Sequence, residues 1–293
     1  MLAEEALRWL QVEPAGTYVD ATVGLGGHAV EIARRLTAGQ LIGLDRDAGA
    51  LEIARERLKK YGGRVVLVQA DFSRIDEVAQ EMNLSPLNGL LADLGVSSLQ
   101  LDTAERGFSF RLAGPLDMRM DSRTELTAAD IVNETAEAEL ADLLYRLGEE
   151  RDSRRIARAI VRARPIRSTE HLATTVAGAC TSRGRRKLHP ATKTFLALRI
   201  AVNRELEELG QFLDRAPATL ALGGRWVVLS YHSLEDRMVK QEFRRLDGNG
   251  VVKVLTRKVV RPSEAEVMVN PRARSAKLRV AEKLTPAAEK LAS

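Results

Sequence analysis

Four short apolar runs near the start of the chain, alternating with helical periodicity, limit what it can fold into. The runs lie at 17–22, 40–45, 64–71 and 89–94. Helical patterns occupy 28–36, 48–60 and 75–82, and an amphipathic segment at 2–10 precedes the first run. Strand and helix in strict alternation predict a parallel sheet covered by helices on both faces.

The rhythm breaks after the fourth run. Residues 104–190 hold no convincing strand and open on a loop with Gly107, Gly114 and Pro115. Leu140, Leu143, Leu144 and Leu147 then recur at helical spacing. The stretch 151–164 is helical and stops before Pro165, because the residue preceding a proline is pushed out of the helical region. Arg151, Arg155, Arg158 and Arg162 form one stripe of it, with Ile156, Ala159, Ile160 and Ala163 opposite. A further helix is expected from near Pro190, with Phe195, Leu198, Val202, Leu206 and Leu209 as its apolar face. Sheet patterning returns at 223–230, followed by a helix at 235–245 and strands at 252–258 and 276–282. The expected architecture is α/β. Residues 1–103 and 207–293 form one Rossmann-like sheet, and an all-helical domain, 104–206, is inserted after its fourth strand.

The composition fits a globular protein of 293 residues, with 45% hydrophobic and 29% charged side chains, and excludes collagen-like, disordered and disulfide-rich classes. No apolar run nears the ~18 residues needed to span a bilayer, and the start lacks a basic segment followed by an apolar one. The single cysteine, Cys180, forbids an internal disulfide and a cysteine zinc site. A cytoplasmic protein with no membrane partner is expected. Charge is unevenly placed. Residues 1–150 hold 15 basic and 26 acidic side chains, a net of −11. Residues 151–190 hold 11 and 2, a net of +9, and residues 253–279 hold 8 and 2, a net of +6. Two basic patches on an acidic body suggest a polyanionic partner; solvated basic helix faces would look the same.

The first strand runs into Asp20-Ala-Thr-Val-Gly-Leu-Gly-Gly-His28. Glycines there let the backbone turn tightly against a ligand, and the next helix offers unpaired N–H groups. Asp45 ends the second strand 21 residues after Gly24, where a carboxylate can accept from ribose hydroxyls. Loop and acid together indicate a nucleoside cofactor, either S-adenosylmethionine or a dinucleotide. The third glycine of the Gly-x-Gly-x-x-Gly dinucleotide pattern falls on Ala29, and a helix precedes the first strand; both points favour S-adenosylmethionine. Phe72 either stacks on an adenine or fills the core. Asp93, ending the fourth strand, is a site residue or a helix cap. His28 is a donor or a cap, and His232 a site residue or filler. His189 reads as a cap, and His171 and Cys180 as structural. The four histidines lack metal-ligand spacing, so no metal is expected.

Several segments resemble the RsmH (MraW) family. They are the glycine run just quoted, Asp93-Leu-Gly-Val-Ser-Ser98, Glu105-Arg-Gly-Phe-Ser-Phe110, Pro115-Leu-Asp-Met-Arg-Met120 and Gly148-Glu-Glu-Arg151. His189-Pro-Ala-Thr192, His232-Ser-Leu-Glu-Asp-Arg237 and Asn270-Pro-Arg-Ala-Arg-Ser-Ala-Lys277 complete the set, in order along nearly the whole chain. The resemblance implies a class I methyltransferase sheet with an inserted helical domain. It implies methyl transfer from S-adenosylmethionine to the exocyclic N4 amine of one cytidine in the decoding centre of bacterial 16S rRNA, with the small ribosomal subunit as partner. It also implies cofactor contacts at Gly26, Gly27, His28, Asp45, Phe72, Asp93 and Gln100. Asp93 is the expected catalytic contributor. Asp117, Arg155, Arg158 and His232 are expected on the substrate side, with Arg183, Arg185, Arg186 and Lys187, and then Arg257, Lys258, Arg272 and Arg274, as further phosphate contacts. Two departures stand out. A short His-x-Pro-Val-Leu-type segment expected ahead of Leu2-Ala-Glu-Glu5 is absent, so a truncated or misassigned start is expected, and Tyr231 stands where phenylalanine is common. The rival readings are a dinucleotide-dependent oxidoreductase and a non-catalytic ribosome-assembly factor that binds RNA. The residues do not choose between a monomer and a homodimer.

Overall fold

The computed structural model describes residues 2–84, 86–180 and 189–284. Arg183, Arg185, Arg186 and Lys187 lie outside the described residues. The chain divides into two compact units, Met1–Gly95 with Leu206–Ser293, and Val96–Glu205.

The first unit opens with α1 (Ala3–Leu10) and then alternates: β1 (Thr17–Asp20), α2 (Gly27–Arg35), β2 (Gln40–Asp45), α3 (Ala48–Leu58), β3 (Val65–Gln69), α4 (Ile75–Glu81) and β4 (Leu87–Asp93). All four residues of β1 are buried, as befits a strand at the centre of a sheet. The first run ends as a strand at Asp20, two residues earlier than its apolar pattern suggests. Beyond Asp20 the chain turns, and Gly24 takes a left-handed φ of 51°.

The second unit holds α5 (Ser98–Asp102), α6 (Ala128–Glu134), α7 (Glu137–Gly148), α8 (Ser153–Arg162), α9 (Thr169–Ala179) and α10 (Thr192–Asn203). Among the described residues it has no strand. Its core includes Leu140, Leu144, Ile156, Ile160, Leu172, Phe195 and Leu198.

The chain then continues through α11 (Glu205–Thr219), β5 (Leu220–Ser230), α12 (Ser233–Gly248), β6 (Val252–Val254), α13 (Glu264–Val269) and β7 (Lys277–Lys283). The helix expected to run from Pro190 past Leu209 is therefore two helices. Arg204, at φ 49°, breaks it. Asn203 supports the break, donating to the carbonyls of Arg199 and Met118 and accepting from the amide of Met120. Its side chain thus competes with helical backbone bonding. Phe195, Leu198 and Val202 go to the helical core, whereas Leu209 joins Phe212, Trp226 and Phe243 beneath the sheet. The sixth strand also stops short of Lys258, and only an isolated bridge, Val260 to Leu278, follows.

The sheet has seven strands in the order β3-β2-β1-β4-β5-β7-β6. The first five are mutually parallel, and β7 runs antiparallel to both β5 and β6. The strand order reverses between β1 and β4. In open α/β sheets ligands sit outside the carboxyl ends of the strands at such a reversal.

Candidate active site

The carboxyl ends of β1, β2, β4 and β5 deliver Asp20, Asp45, Asp93 and Tyr231 to one edge of the sheet. Asp20 and Asp93 flank the reversal. The loop between β1 and α2 is anchored by this edge: the Gly24 amide donates to Asp45 Oδ2 at 2.8 Å, and the Asp47 amide to Asp45 Oδ1 at 2.9 Å. Burial raises the Asp45 carboxyl above its usual range, and the two amides offset part of that. A carboxylate offers about four lone-pair sites. Two are used here, so each oxygen can still accept one ligand hydroxyl. Gly26, at φ 82°, sits at the N-cap of α2, and nothing would crowd a side chain at Gly27. The helix start is thus open above its unpaired amides.

His28, on the first turn of α2, lies with Nε2 3.3 Å from Asp93 Oδ2. Tyr231 donates its hydroxyl to Asp93 Oδ1 at 2.5 Å, and the Asp93 amide donates to Thr22 Oγ1 at 2.6 Å. Burial pushes the Asp93 carboxyl up, but the bonds and charge of His28 and the Tyr231 hydroxyl outweigh it, leaving the group below its ordinary value. His28 moves the other way. Burial lowers it, and Asp93 more than compensates, so His28 ends raised. Tyr231 is raised above its ordinary value by burial and by the charge on Asp93.

Asp20 was not singled out by its sequence context. It is 1% exposed, takes one amide bond from Thr22 at 3.3 Å, and leaves Oδ2 buried without a hydrogen-bond partner. Burial pushes its carboxyl up to about 7. His28 Nδ1 is also buried and unpartnered. Both orphan atoms are shut off from solvent, whereas Asp45 keeps the capacity to accept from a ligand that carries hydroxyls.

Phe72 packs edge-on against Phe212, with centroids 5.2 Å apart, and the Arg46 guanidinium lies 5.9 Å from its centroid. His232 is the N-cap of α12: its Nδ1 accepts from the Glu235 amide at 3.4 Å, and Nε2 lies 3.0 Å from Glu235 Oε1.

The remaining candidates belong to the helical unit. Gln100 is buried and completes a capping box with Ser97, which starts α5. Asp117 is clasped by Arg119 through Nε and the guanidinium, at 3.0 and 2.7 Å. Burial raises its carboxyl, but Arg119 draws it below its usual value. Arg155 borders a cavity of about 510 Å³ with Tyr145, Arg151 and Arg154, whereas Arg158 reaches Glu137 at 3.3 Å. His189 stacks on Phe110 and accepts the Ala191 amide, but it does not cap α10, which starts at Thr192 with Ala191 as its N-cap.

Residues 1–284 match the model of the MraW methylase family. The chain belongs to the MraW methylase family. It is 52% identical over 291 residues to the ribosomal RNA small subunit methyltransferase H of Koribacter versatilis, covering 96% of this chain and 92% of that one. The proteins of the same name from Solibacter usitatus and Acidobacterium capsulatum are 50% and 51% identical. The Solibacter match covers 96% of this chain and 98% of its relative, and the Acidobacterium match 97% of each. Membership of a methylase family removes the dinucleotide oxidoreductase reading. The sheet agrees, because the antiparallel β7 departs from the 3-2-1-4-5-6 dinucleotide order. Among the described residues no helix is long and apolar enough to cross a membrane.

Proposed function

We propose that this chain methylates the exocyclic N4 amine of a cytidine in the decoding centre of 16S rRNA, with S-adenosylmethionine as donor. The observation that carries the reading is Asp93, an anionic acceptor at the strand-order reversal, beside a glycine loop whose partner Asp45 retains capacity for two hydroxyls. The names borne by the relatives support rRNA as substrate. The cofactor residues of the sheet unit are Gly26, Gly27, His28, Asp45, Phe72 and Asp93; Gln100 is their counterpart in the helical unit.

When bound, S-adenosylmethionine supplies an electrophilic methyl group on a positively charged sulfur. Asp45 would hold its ribose hydroxyls, and the amides at the start of α2, beside Gly26 and Gly27, would lie against it. The amine on an aromatic ring is a poor nucleophile, because its lone pair is delocalised. Holding it in line with the methyl supplies much of the barrier reduction. Asp93 accepts an N–H of the amine and so favours the charge that develops on nitrogen. Because His28 and Tyr231 hold Asp93 ionised, it is a weak base, and the proton leaves the methylated ammonium to water. The cytidine must be unpaired to be reached. The helical unit Val96–Glu205 binds the RNA: Arg155, Arg158 and, from the sheet unit, Arg257, Lys258, Arg272 and Arg274 meet phosphates, while Asp117 and His232 orient the substrate.

The test is incorporation of labelled methyl groups from S-adenosylmethionine into small ribosomal subunits that lack the modification. Wild type should label the RNA and Asp93→Asn should do so far more slowly. RNA binding without any label would leave a non-catalytic assembly factor.

A further inference from the structure

We infer that Tyr231 is a positioning residue for Asp93, its hydroxyl fixing the orientation of the carboxylate that meets the substrate amine. The inference rests on the reading of Asp93 as that acceptor. Tyr231 is held at both ends. Its amide donates to Glu235 Oε2 at 2.9 Å, and its hydroxyl donates to Asp93 Oδ1 at 2.5 Å. Its ring lies beside the turn that follows β4: Gly95 takes a φ of 98°, and a side chain there would stand 3.5 Å from the ring.

The other oxygen of Asp93 faces His28 at 3.3 Å. With one partner per oxygen, the carboxylate cannot turn about its Cβ–Cγ bond without breaking a charge-assisted bond. Its two remaining lone-pair sites are therefore fixed in direction. An acceptor so held needs no reorganisation when charge develops on the amine. Removing the hydroxyl leaves the ring and its packing in place and deletes only the bond. The ionisable groups facing Asp93 are Asp20 at the end of β1, His28 on α2 and Tyr231 after β5. Of these, only Tyr231 stays uncharged throughout the working pH range, so its contribution is not lost when His28 titrates.

The experiment compares wild type, Tyr231→Phe and Asp93→Asn as full chains on unmodified small subunits. Tyr231→Phe should lower kcat by roughly tenfold, the scale of one hydrogen bond to a charged group, and leave KM for S-adenosylmethionine within about twofold. The acid limb of its kcat/KM profile should move to higher pH, because Asp93 protonates more readily without the donor. A merely structural tyrosine would change the melting temperature and leave that limb in place. Unchanged kcat with an unmoved acid limb would overturn the inference while leaving Asp93 as acceptor. Full activity in Asp93→Asn would instead overturn the acceptor reading itself.

Discussion

Two carboxyls at neighbouring strand ends, Asp20 buried and Asp93 partly buried, cannot both ionise cheaply, and they resolve the conflict through their partners. Asp93 has a partner on each oxygen and keeps its charge; Asp20 has one amide and is pushed up to about 7. The unfolded value is about 3.9. Between these values the folded chain retains a proton that the unfolded chain has released. Asp20 therefore contributes stability that is full below about pH 4 and is lost as pH rises towards 7. Calorimetry from pH 4 to 8 should show wild type losing stability relative to Asp20→Asn through that window and running parallel above it. Parallel curves throughout would contradict the assignment.

Asp45 anchors the glycine loop, and in the proposed reading it also binds the ribose. Two ribose hydroxyls on a carboxylate are worth roughly 1.5–3 kcal/mol each, so Asp45→Ala should weaken S-adenosylmethionine by about a hundredfold to ten-thousandfold in isothermal titration. It should also lower the melting temperature, since the Gly24 and Asp47 amides lose their acceptor. Affinity within about twofold of wild type would remove Asp45 from the site. Asp45, His28 and Asp93 were legible in the sequence because each stands at the end of an apolar run or the start of a helix. The tie from Asp93 to Tyr231 and the isolation of Asp20 were not. They depend on which strand tips adjoin across β1, β4 and β5, a register set by pairings dozens of residues apart.

At the scale of elements, α8 carries the clearest charge argument. Ser153, Ile156, Ala157 and Ile160 are buried, and Arg155, Arg158 and Arg162 are exposed; Arg151, also exposed, lies in the turn ahead of the helix and not on its face. The 3.6-residue period made this face legible in advance. The neutralisation of each phosphate on a single strand contributes about −0.7 to the log–log salt slope of binding. Arg155→Ala with Arg158→Ala should flatten that slope and raise the apparent RNA constant without changing cofactor affinity. Arg155 should account for most of the change, because Arg158 already has Glu137. An unaltered slope would make the stripe a solvated face. Helical periodicity misled at Arg204, where the apolar spacing runs on through a left-handed residue. The break comes from Asn203, whose partners Met118 and Met120 lie more than eighty residues away and leave no local trace.

At the scale of the molecule, the alternation of strand and helix made the parallel half of the sheet legible, since each crossover announces itself locally. The reversed order of β7 and β6 was not. Two strands near the end of the chain can pair with one another and with β5 in several ways, and apolar patterning does not choose between them. The completed sheet supplies the edge on which the glycine loop, Asp45 and Asp93 lie, and the helical unit supplies a basic surface. The central claim is methyl transfer to an aromatic amine of cytidine. It is tested by incubating the protein with unmodified small subunits and labelled S-adenosylmethionine, digesting the RNA, and identifying the labelled nucleoside by chromatography and mass spectrometry. The account predicts N4-methylcytidine; label in a carbon-methylated or ribose-methylated cytidine, or in another base, would contradict it.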